Sequence, residues 1–517
     1  MNIYLSKQHD PSTNAKLIKE LGYWKQGDQV VWQTTNKLLK AIKKYPIVKK
    51  PLLSAYPAEG VLKKGVNLLA ARPARIMRAY SLKGFIGEDR LVYPEWKKEL
   101  DEQYEKMLQQ QMKVVDVTNF GARGDGKTDC TKAFHRALGR GKAIVKVPAG
   151  TYVVRGIKLP SWTMLIGEGK GKTIIKLHDD APKRRRLITN ANHMKGNRNI
   201  YVESMSLDWN VERLKDVNKT ASGNNLSSCL TYANVMFGWV KHVEAINPGL
   251  HGFDVSSTLY NYSGDGYWAK GPSKYIWLDN LNGYGFGDDG VTTHHSENIL
   301  ISNSHMCDPS GRAHNPGVAN SNGFEVDDGS RNVWLQNNSS TRCFGGVEVK
   351  AHHNSSAAMN TVIFGHISIK DNRSYNLRHI GHHHQDDPAS KTAYDIRLAN
   401  IISITPVYTD LYRESTPRAM VISAYRNVAV NNFTVIGDRN YDYKKNPVIA
   451  VQYRARHVSI NNVRLTGFRT AKADIEIFGG AQRADDVRLC NVTTYESAPD
   501  TIEIGAGVQQ VEMMKIY

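Results

Sequence analysis

From about Val114 onward the chain is a succession of short runs in which apolar and polar residues alternate, such as ENILISNS, HVSINNV and NVAVNNF. Alternation of period two places successive side chains on opposite faces of a strand, and the Asn- and Gly-rich breaks between runs mark turns. Four runs are variants of one another: GDGYWAK from Gly264, GDDGVTTH from Gly287, NGFEVDD from Asn322 and GGVEVKAHH from Gly345. Aligning Asp265, Asp289, Asn322 and Gly345 gives steps of about 24, 33 and 23 residues, the spacing of a solenoid in which the long step absorbs an insertion. In that register Tyr267, Val291, Phe324 and Val347, with Ala269, Thr293, Val326 and Val349, face the interior of a coil. Trp268, Thr292, Glu325 and Glu348, with Lys270, His294, Asp327 and Lys350, face outward. Later segments, from VISAYRNVAVNNFTVIG to IEIGAGVQQVEM, repeat at about 27 residues. The pattern predicts an all-β chain wound into a parallel β-helix, with stacked asparagines at its turns.

Residues 1–112 follow a different rule. Apolar residues recur at helical spacing in AKLIKELGYW, VVWQTTNKLLKAIKKY and YPEWKKELDEQYEKMLQQQM, broken by Pro46, Pro51, Pro57 and Pro73. The division is therefore a separate, mostly helical or extended region over residues 1–112 and a β-helix over residues 113–517. At the junction a strand leads into a glycine turn and then a helix over about Asp129–Leu138, placed to plug the open end of the coil and cover its unpaired edge.

The formal charge of +19 favours an anionic partner, such as nucleic acid, an acidic glycan or a polyphosphate of the teichoic type. About half of the excess lies in the N-terminal region, in runs such as KLLKAIKKYPIVKK, so it says less about the β-helix. The five cysteines are far apart, odd in number and without CxxC spacing, which points to free thiols. The N-terminus has no apolar signal core, and nowhere do about 18 consecutive apolar residues occur, so neither a cleaved leader nor membrane insertion is expected.

Glu325 and Glu348 fall on adjacent rungs, about 4.8 Å apart. Unpaired carboxylates that close repel, which raises one pKa and suits general acid–base work. GARGDGKT, Gly121 to Thr128, matches the phosphate-loop pattern between a strand and a helix. The alternating strand–helix units of a nucleotide-binding domain do not follow, which argues against nucleotide hydrolysis. The run HIGHHHQDD, His379 to Asp387, holds metal-ligating types, but adjacent strand residues point to opposite faces and no ligand geometry is set, so no metal site is assigned.

At these residues the chain resembles the pectate-lyase-like superfamily of right-handed parallel β-helices. NFGARGDGKTDCTKAF is similar to that superfamily's opening motif, followed by PAGTYVV and IGEGKGKTII, and the segment from Asp265 through GDDGVTTH resembles the catalytic rungs of polygalacturonases. The resemblance implies three catalytic aspartates at Asp265, Asp288 and Asp289, one protonating the leaving oxygen and the others activating water in an inverting arrangement. Glu325 and Glu348 are added to the catalytic candidates, and Trp268, Lys270, His294, Asp327, Lys350 and His352 are candidates for substrate contact. Where the family has GHG this chain has Asn322-Gly323-Phe324, and where it has RIK it has Glu348-Val349-Lys350, so galacturonate is not implied as substrate. No cofactor is expected, although some pectate lyases hold calcium in acidic clusters.

The superfamily also includes phage tailspikes and appendages, and the distinct N-terminal region, the free thiols and the missing leader resemble those. They imply a virion protein, assembled in the host cytoplasm, that binds and depolymerises a host surface glycopolymer. Residues 1–112 would attach it to other tail proteins, in a homotrimer that takes no nucleic acid. Elimination and phosphodiester cleavage stay open beside hydrolysis. So do a non-catalytic receptor-binding appendage and a cellular uronate-polymer lyase or epimerase.

Overall fold

The computed structural model describes residues 3–42, 83–258 and 271–517, apart from residues 216, 218, 222–224, 383–389 and 391, together with Tyr260 and Gly264. Asp265, Trp268 and Lys270 lie outside these described residues.

The strands stack in parallel rungs. One sheet has twelve strands: β1 (Ile157–Leu159), β2 (Ile188–Asn190), β3 (Leu230–Ala233), β4 (Phe253–Ser256), β5 (Val291–Thr293), β6 (Asn322–Val326), β7 (Gly345–Ala351), β8 (Arg373–His379), β9 (Arg418–Ser423), β10 (Ile449–Gln452), β11 (Ala473–Ile477) and β12 (Asp500–Ile504). Each pairs in parallel with the next, as the solenoid reading requires. Phe253, Val291, Phe324, Val347 and Tyr375 lie in one register and enter a single continuous apolar core.

The register corrects one part of the sequence reading. The strand stacked on Val291–Thr293 from below is Phe253–Ser256, with Asp254 opposite Thr292, and not the segment that starts at Gly264. Asp254 therefore heads the outward column that continues through Thr292, Glu325 and Glu348. The insertion between β4 and β5 contains a strand-like run of its own, which imitates a rung in sequence.

In the later rungs the rest of the turn is one long strand bent near its middle, as in Tyr394–Ile404, Arg426–Ile436, Arg456–Thr466 and Asp485–Tyr495. The bend residues Asn400, Asn432, Asn462 and Asn491 all have φ between 52° and 60°. Asparagine tolerates this left-handed conformation better than other side chains. The amides also bond along the stack, Asn432 Nδ2 donating to Asn400 Oδ1 at 3.0 Å and Asn462 Nδ2 to Asn432 Oδ1 at 3.1 Å. The expected asparagine stacks thus bend the strands and bond one rung to the next.

The open end is covered as expected. The helix Thr131–Leu138 inserts Ala133, Phe134, Ala137 and Leu138 into the top of the core. Just before it, the Asp125 carboxylate accepts the amides of Lys127 and Thr128, both at 2.9 Å. It occupies the donors that a phosphate loop would offer, so GARGDGKT is a loop running into the strand Asp125–Asp129, with its amides taken by its own acid.

The described part of residues 1–112 is mainly helical and lies on the β-helix. We label α1 (Asn14–Gly22), α2 (Asp28–Ile42) and α3 (Lys97–Leu108). Ile18 and Leu21 of α1 pack on Ile367, Ile369, Ile402 and Ile404; Val31 and Trp32 of α2 pack on Leu300, Trp334 and Phe364. Leu100 and Met107 of α3 pack among Tyr201, Phe237 and Trp239. Asn14 Nδ2 donates to the carbonyls of Ser304 and Asn337 at 3.2 and 3.0 Å. The strands beneath these helices, such as Thr361–Ile369 and Tyr394–Ile404, are consequently covered on both faces and buried along their whole length. Among the described residues no helix is long and apolar enough to cross a membrane.

Candidate functional site

Strands β4 to β8 project their outward residues into one charged cluster. Alternation aims Asp254, Thr292, Glu325, Glu348 and Asn376 down one column and His294, Asp327, Lys350 and Arg378 down a parallel one. Asp288 and Asp289 enter from the turn just before β5.

These side chains point away from the core, yet they are buried: Asp289 and Asp327 are 1 % exposed, Glu325 2 % and Asp288 7 %. Segments outside the rungs cover them. Tyr260 stacks on the His294 ring with centroids 3.9 Å apart and donates to Asp328 Oδ2 at 3.0 Å. A loop preceding β6 brings in His314 and is bridged to the loop preceding β9 through Val318 and Tyr412. The open acidic face expected from alternation is therefore a closed site with His314, 32 % exposed, near its surface.

Burial makes charge pairing decisive, since an isolated buried charge is costly. Lys350 Nζ lies 2.7 Å from Glu325 and 3.7 Å from Asp327. Glu348 is bound by Arg378 and accepts from Asn376 at 2.9 Å. Glu325 and Glu348 are adjacent as expected, but each has a cation, so the repulsion expected between unpaired acids is relieved. Burial alone would raise Glu325, but Lys350 holds it below its ordinary value. Asp327, buried beside ionised Asp328, is raised to about 7. The His352 imidazole, opposed by burial, is brought up to about 9 by Asp328, 3.1 Å away, and by Asp327.

The Asp288–Asp289 pair is the most polarised element. Asp288 accepts from His314 Nε2 at 2.7 Å and lies 3.5 Å from His251 Nε2. Against burial, these two imidazoles hold its carboxyl well below the ordinary range. Asp289 is raised well above that range by burial and by Asp288 and Glu325. Asp254, 3.1 Å from His251 Nδ1, orients that ring and, with Asp288, outweighs burial to bring it up to about 9.

Asn322 connects the group. Its Nδ2 lies 3.0 Å from Asp289 Oδ1, 3.1 Å from Glu325 Oε1 and 2.9 Å from Glu348 Oε2. The Asn322 backbone amide also donates to Asp289 Oδ1 at 3.0 Å, so this one residue ties Asp289 to both glutamates. Gly345 makes room for this hub, because a Cβ there would stand 2.1 Å from Asn322 Oδ1.

The structure thus brings together Asp288, Asp289, Glu325, Glu348, His294, Asp327, Lys350 and His352. One carboxylate oxygen of Asp288 and one of Asp289 lie within 4.8 Å of each other and of a His251 ring nitrogen. His251, Asp288 and Asp289, and likewise His294, Glu325 and Asp327, are close enough to share a cation. In the second group Lys350 Nζ already supplies a positive charge at 2.7 Å from Glu325. His379 contacts Ser390 and the Ser355 carbonyl at 2.6 and 3.0 Å and belongs to the packing, while residues 383–387 of its run lie outside the described residues.

His251, Asp254, Asn322, Asp328 and Arg378 were missed as site residues. His251 and Asp254 follow from the alternation of GFDVSS once β4 is recognised as a rung, and Arg378 from continuing the Lys350 column by one rung. His314 comes from an aperiodic loop and carries no such signal.

Residues 114–348 match the family described as rhamnogalacturonase A/epimerase, pectate lyase-like. The chain is 51 % identical over 418 residues to a phage-related protein, YobO, of Bacillus subtilis, covering 81 % of this chain and 52 % of the relative. It is 42 % identical over 406 residues to the pre-neck appendage protein of Bacillus phage phi29, covering 78 % and 46 %. The chain spans about half the length of these curated relatives. It also superposes on the crystal structure of the N-terminal fragment of phage phi29 gene product 12 with a TM-score of 0.71 and 40 % identity, over 81 % of this chain and 68 % of that one. With sequence and rungs shared over four fifths of its length, the chain belongs to the pectate-lyase-like β-helix family that includes the phage pre-neck appendage proteins.

Proposed function

We propose that this chain is the β-helix part of a phage appendage that binds an anionic host-surface glycopolymer and cleaves it by carboxylate acid–base hydrolysis. The observation that carries this reading is that two neighbouring buried acids are tuned in opposite directions. His251, 3.5 Å away, and His314, 2.7 Å away, hold Asp288 below the ordinary carboxylate range, while burial and Asp288 itself raise Asp289 above it. Buried acids tuned apart in this way suit the division of labour between base and acid. Asp289 would give its proton to the leaving oxygen of the linkage, and Asp288 would take one from the attacking water. One bond to that oxygen breaks, one water is added and the pair is restored when the proton passes back. The chemistry needs only protein groups, with Asn322 and His251 as positioning residues.

The appendage kinship supports a place in the virion, with residues 1–112 toward other tail proteins and the molecule working as a homotrimer. A monomer mass by light scattering of the assembled protein would overturn the last point. The rival reading, receptor binding without cleavage, is favoured by the near-complete burial of the acids. Incubating wild type, Asp288→Asn and Asp289→Asn with wall teichoic acid, capsule and pectate, and following chain length by gel and mass spectrometry, decides between them. Shortening by wild type alone supports hydrolysis; binding with no shortening of any polymer supports the rival.

A further inference from the structure

The outward columns change sign along the sheet. The register of Asn322 runs through Gly345 to Arg373 and Arg418, and that of Lys350 runs to Arg378. Three guanidinium groups are thus gathered on β8 and β9, beside the acid cluster and under the same loop wall. Their counter-charge is incomplete. Glu348 serves Arg378, which is 21 % exposed. Arg418 Nη1 donates to Gln452 Oε1 at a long 3.4 Å. Among the described residues the Arg373 guanidinium has no hydrogen-bond acceptor; it lies over the Phe344 ring, 5.9 Å from its centroid. Both Arg373 Nε and Arg418 Nε are buried without a partner. Burial, followed by repulsion from Arg378 and Arg418, brings Arg373 down to about 9. Groups packed so are stabilised by an anion that accepts from them, because an unsatisfied buried donor is costly and guanidinium bonds to oxyanions are strong.

We propose that Arg373, Arg378 and Arg418 form an anion subsite that holds a phosphate or carboxylate of the polymer while a linkage lies at Asp288 and Asp289. The subsite is three rungs from the acid pair, about 14 Å at the spacing of parallel strands. It deepens the hydrolase reading and rests on its polymer being anionic.

The test is calorimetric titration with a glycerol phosphate oligomer, with tetragalacturonate and with neutral maltotetraose, on wild type, Arg373→Gln, Arg418→Gln and Asp289→Asn. The expected result is salt-sensitive binding of an anionic oligomer, weakened about tenfold in each arginine variant, as for loss of one charge-assisted bond. Asp289→Asn should keep salt-sensitive binding of the anionic oligomer because it leaves the three arginines in place, and which anionic oligomer binds distinguishes phosphate from carboxylate. The melting temperature of Arg373→Gln should not fall, because a crowded charge has been removed. No binding of either anionic oligomer by wild type, unchanged affinity in both arginine variants, equal loss for the neutral oligomer, or a lowered melting temperature in Arg373→Gln would each overturn the proposal. Failure of the hydrolase reading has a different signature: binding intact and polymer chains uncut.

Discussion

Lys350 is the cation on which the buried acids depend most directly, and replacing it with methionine tests the charge balance of the site. The ammonium is 5 % exposed, 2.7 Å from Glu325 and 3.7 Å from Asp327. Methionine keeps much of the volume and removes the charge. Removing one partner of a buried pair costs about 3–5 kcal/mol. A second route gives a similar figure. Glu325, ordinarily at 4.5, would have to fold protonated, and at about 1.36 kcal/mol per pH unit that costs ~3.4 kcal/mol at pH 7 and ~0.7 kcal/mol at pH 5. The sign follows from linkage. In the wild type Glu325 is depressed, so its contribution is present above its unfolded value and is lost as pH falls; in Lys350→Met it is raised, and the loss of stability eases as pH falls. Urea unfolding followed by far-UV circular dichroism at pH 5, 6, 7 and 8 should show the gap between the two proteins widening with pH. Adding Glu325→Gln to Lys350→Met should recover most of the loss at pH 7. A gap below about 1 kcal/mol at pH 7, or one equal at pH 5 and pH 7, would refute the claim that Lys350 neutralises Glu325 in a closed site.

Three further predictions concern single groups. His314→Ala removes a cation that holds Asp288 down, so the acid limb of the kcat/KM profile for polymer cleavage should move to higher pH, and an unmoved limb would exclude Asp288 as the base. Asp327 is raised to about 7 in the fold, so wild-type stability falls as pH rises from about 4 to about 7; Asp327→Asn should melt higher than wild type at pH 8 and no higher at pH 4, as read by calorimetry. Asn432→Val places a β-branched residue at φ 60° and breaks the amide stack, which should cost about 1–3 kcal/mol and lower the melting temperature, whereas Asn432→Gly should recover the backbone part.

Several features of this protein were legible in its sequence because they are periodic. Alternation tells which way a strand side chain points, so the stacking of Val291, Phe324 and Val347, the adjacency of Glu325 and Glu348 and the asparagine turns all followed from spacing. The capping helix was legible for the same reason. The three-dimensional structure decided what periodicity does not encode. A period does not say where an insertion ends, so a strand-like run at Gly264 displaced the true rung at Phe253–Ser256, and Asp254 with it. Nor does it say whether an outward face meets water. Tyr260 and the loop of His314, which are out of phase with the rungs, cover the acids, and α1 and α2, remote in sequence, cover strands such as Thr361–Ile369 and Tyr394–Ile404. Direction along a strand is a local property of the backbone; burial, and with it which acid holds a proton, is set by distances between segments that only the folded chain brings together.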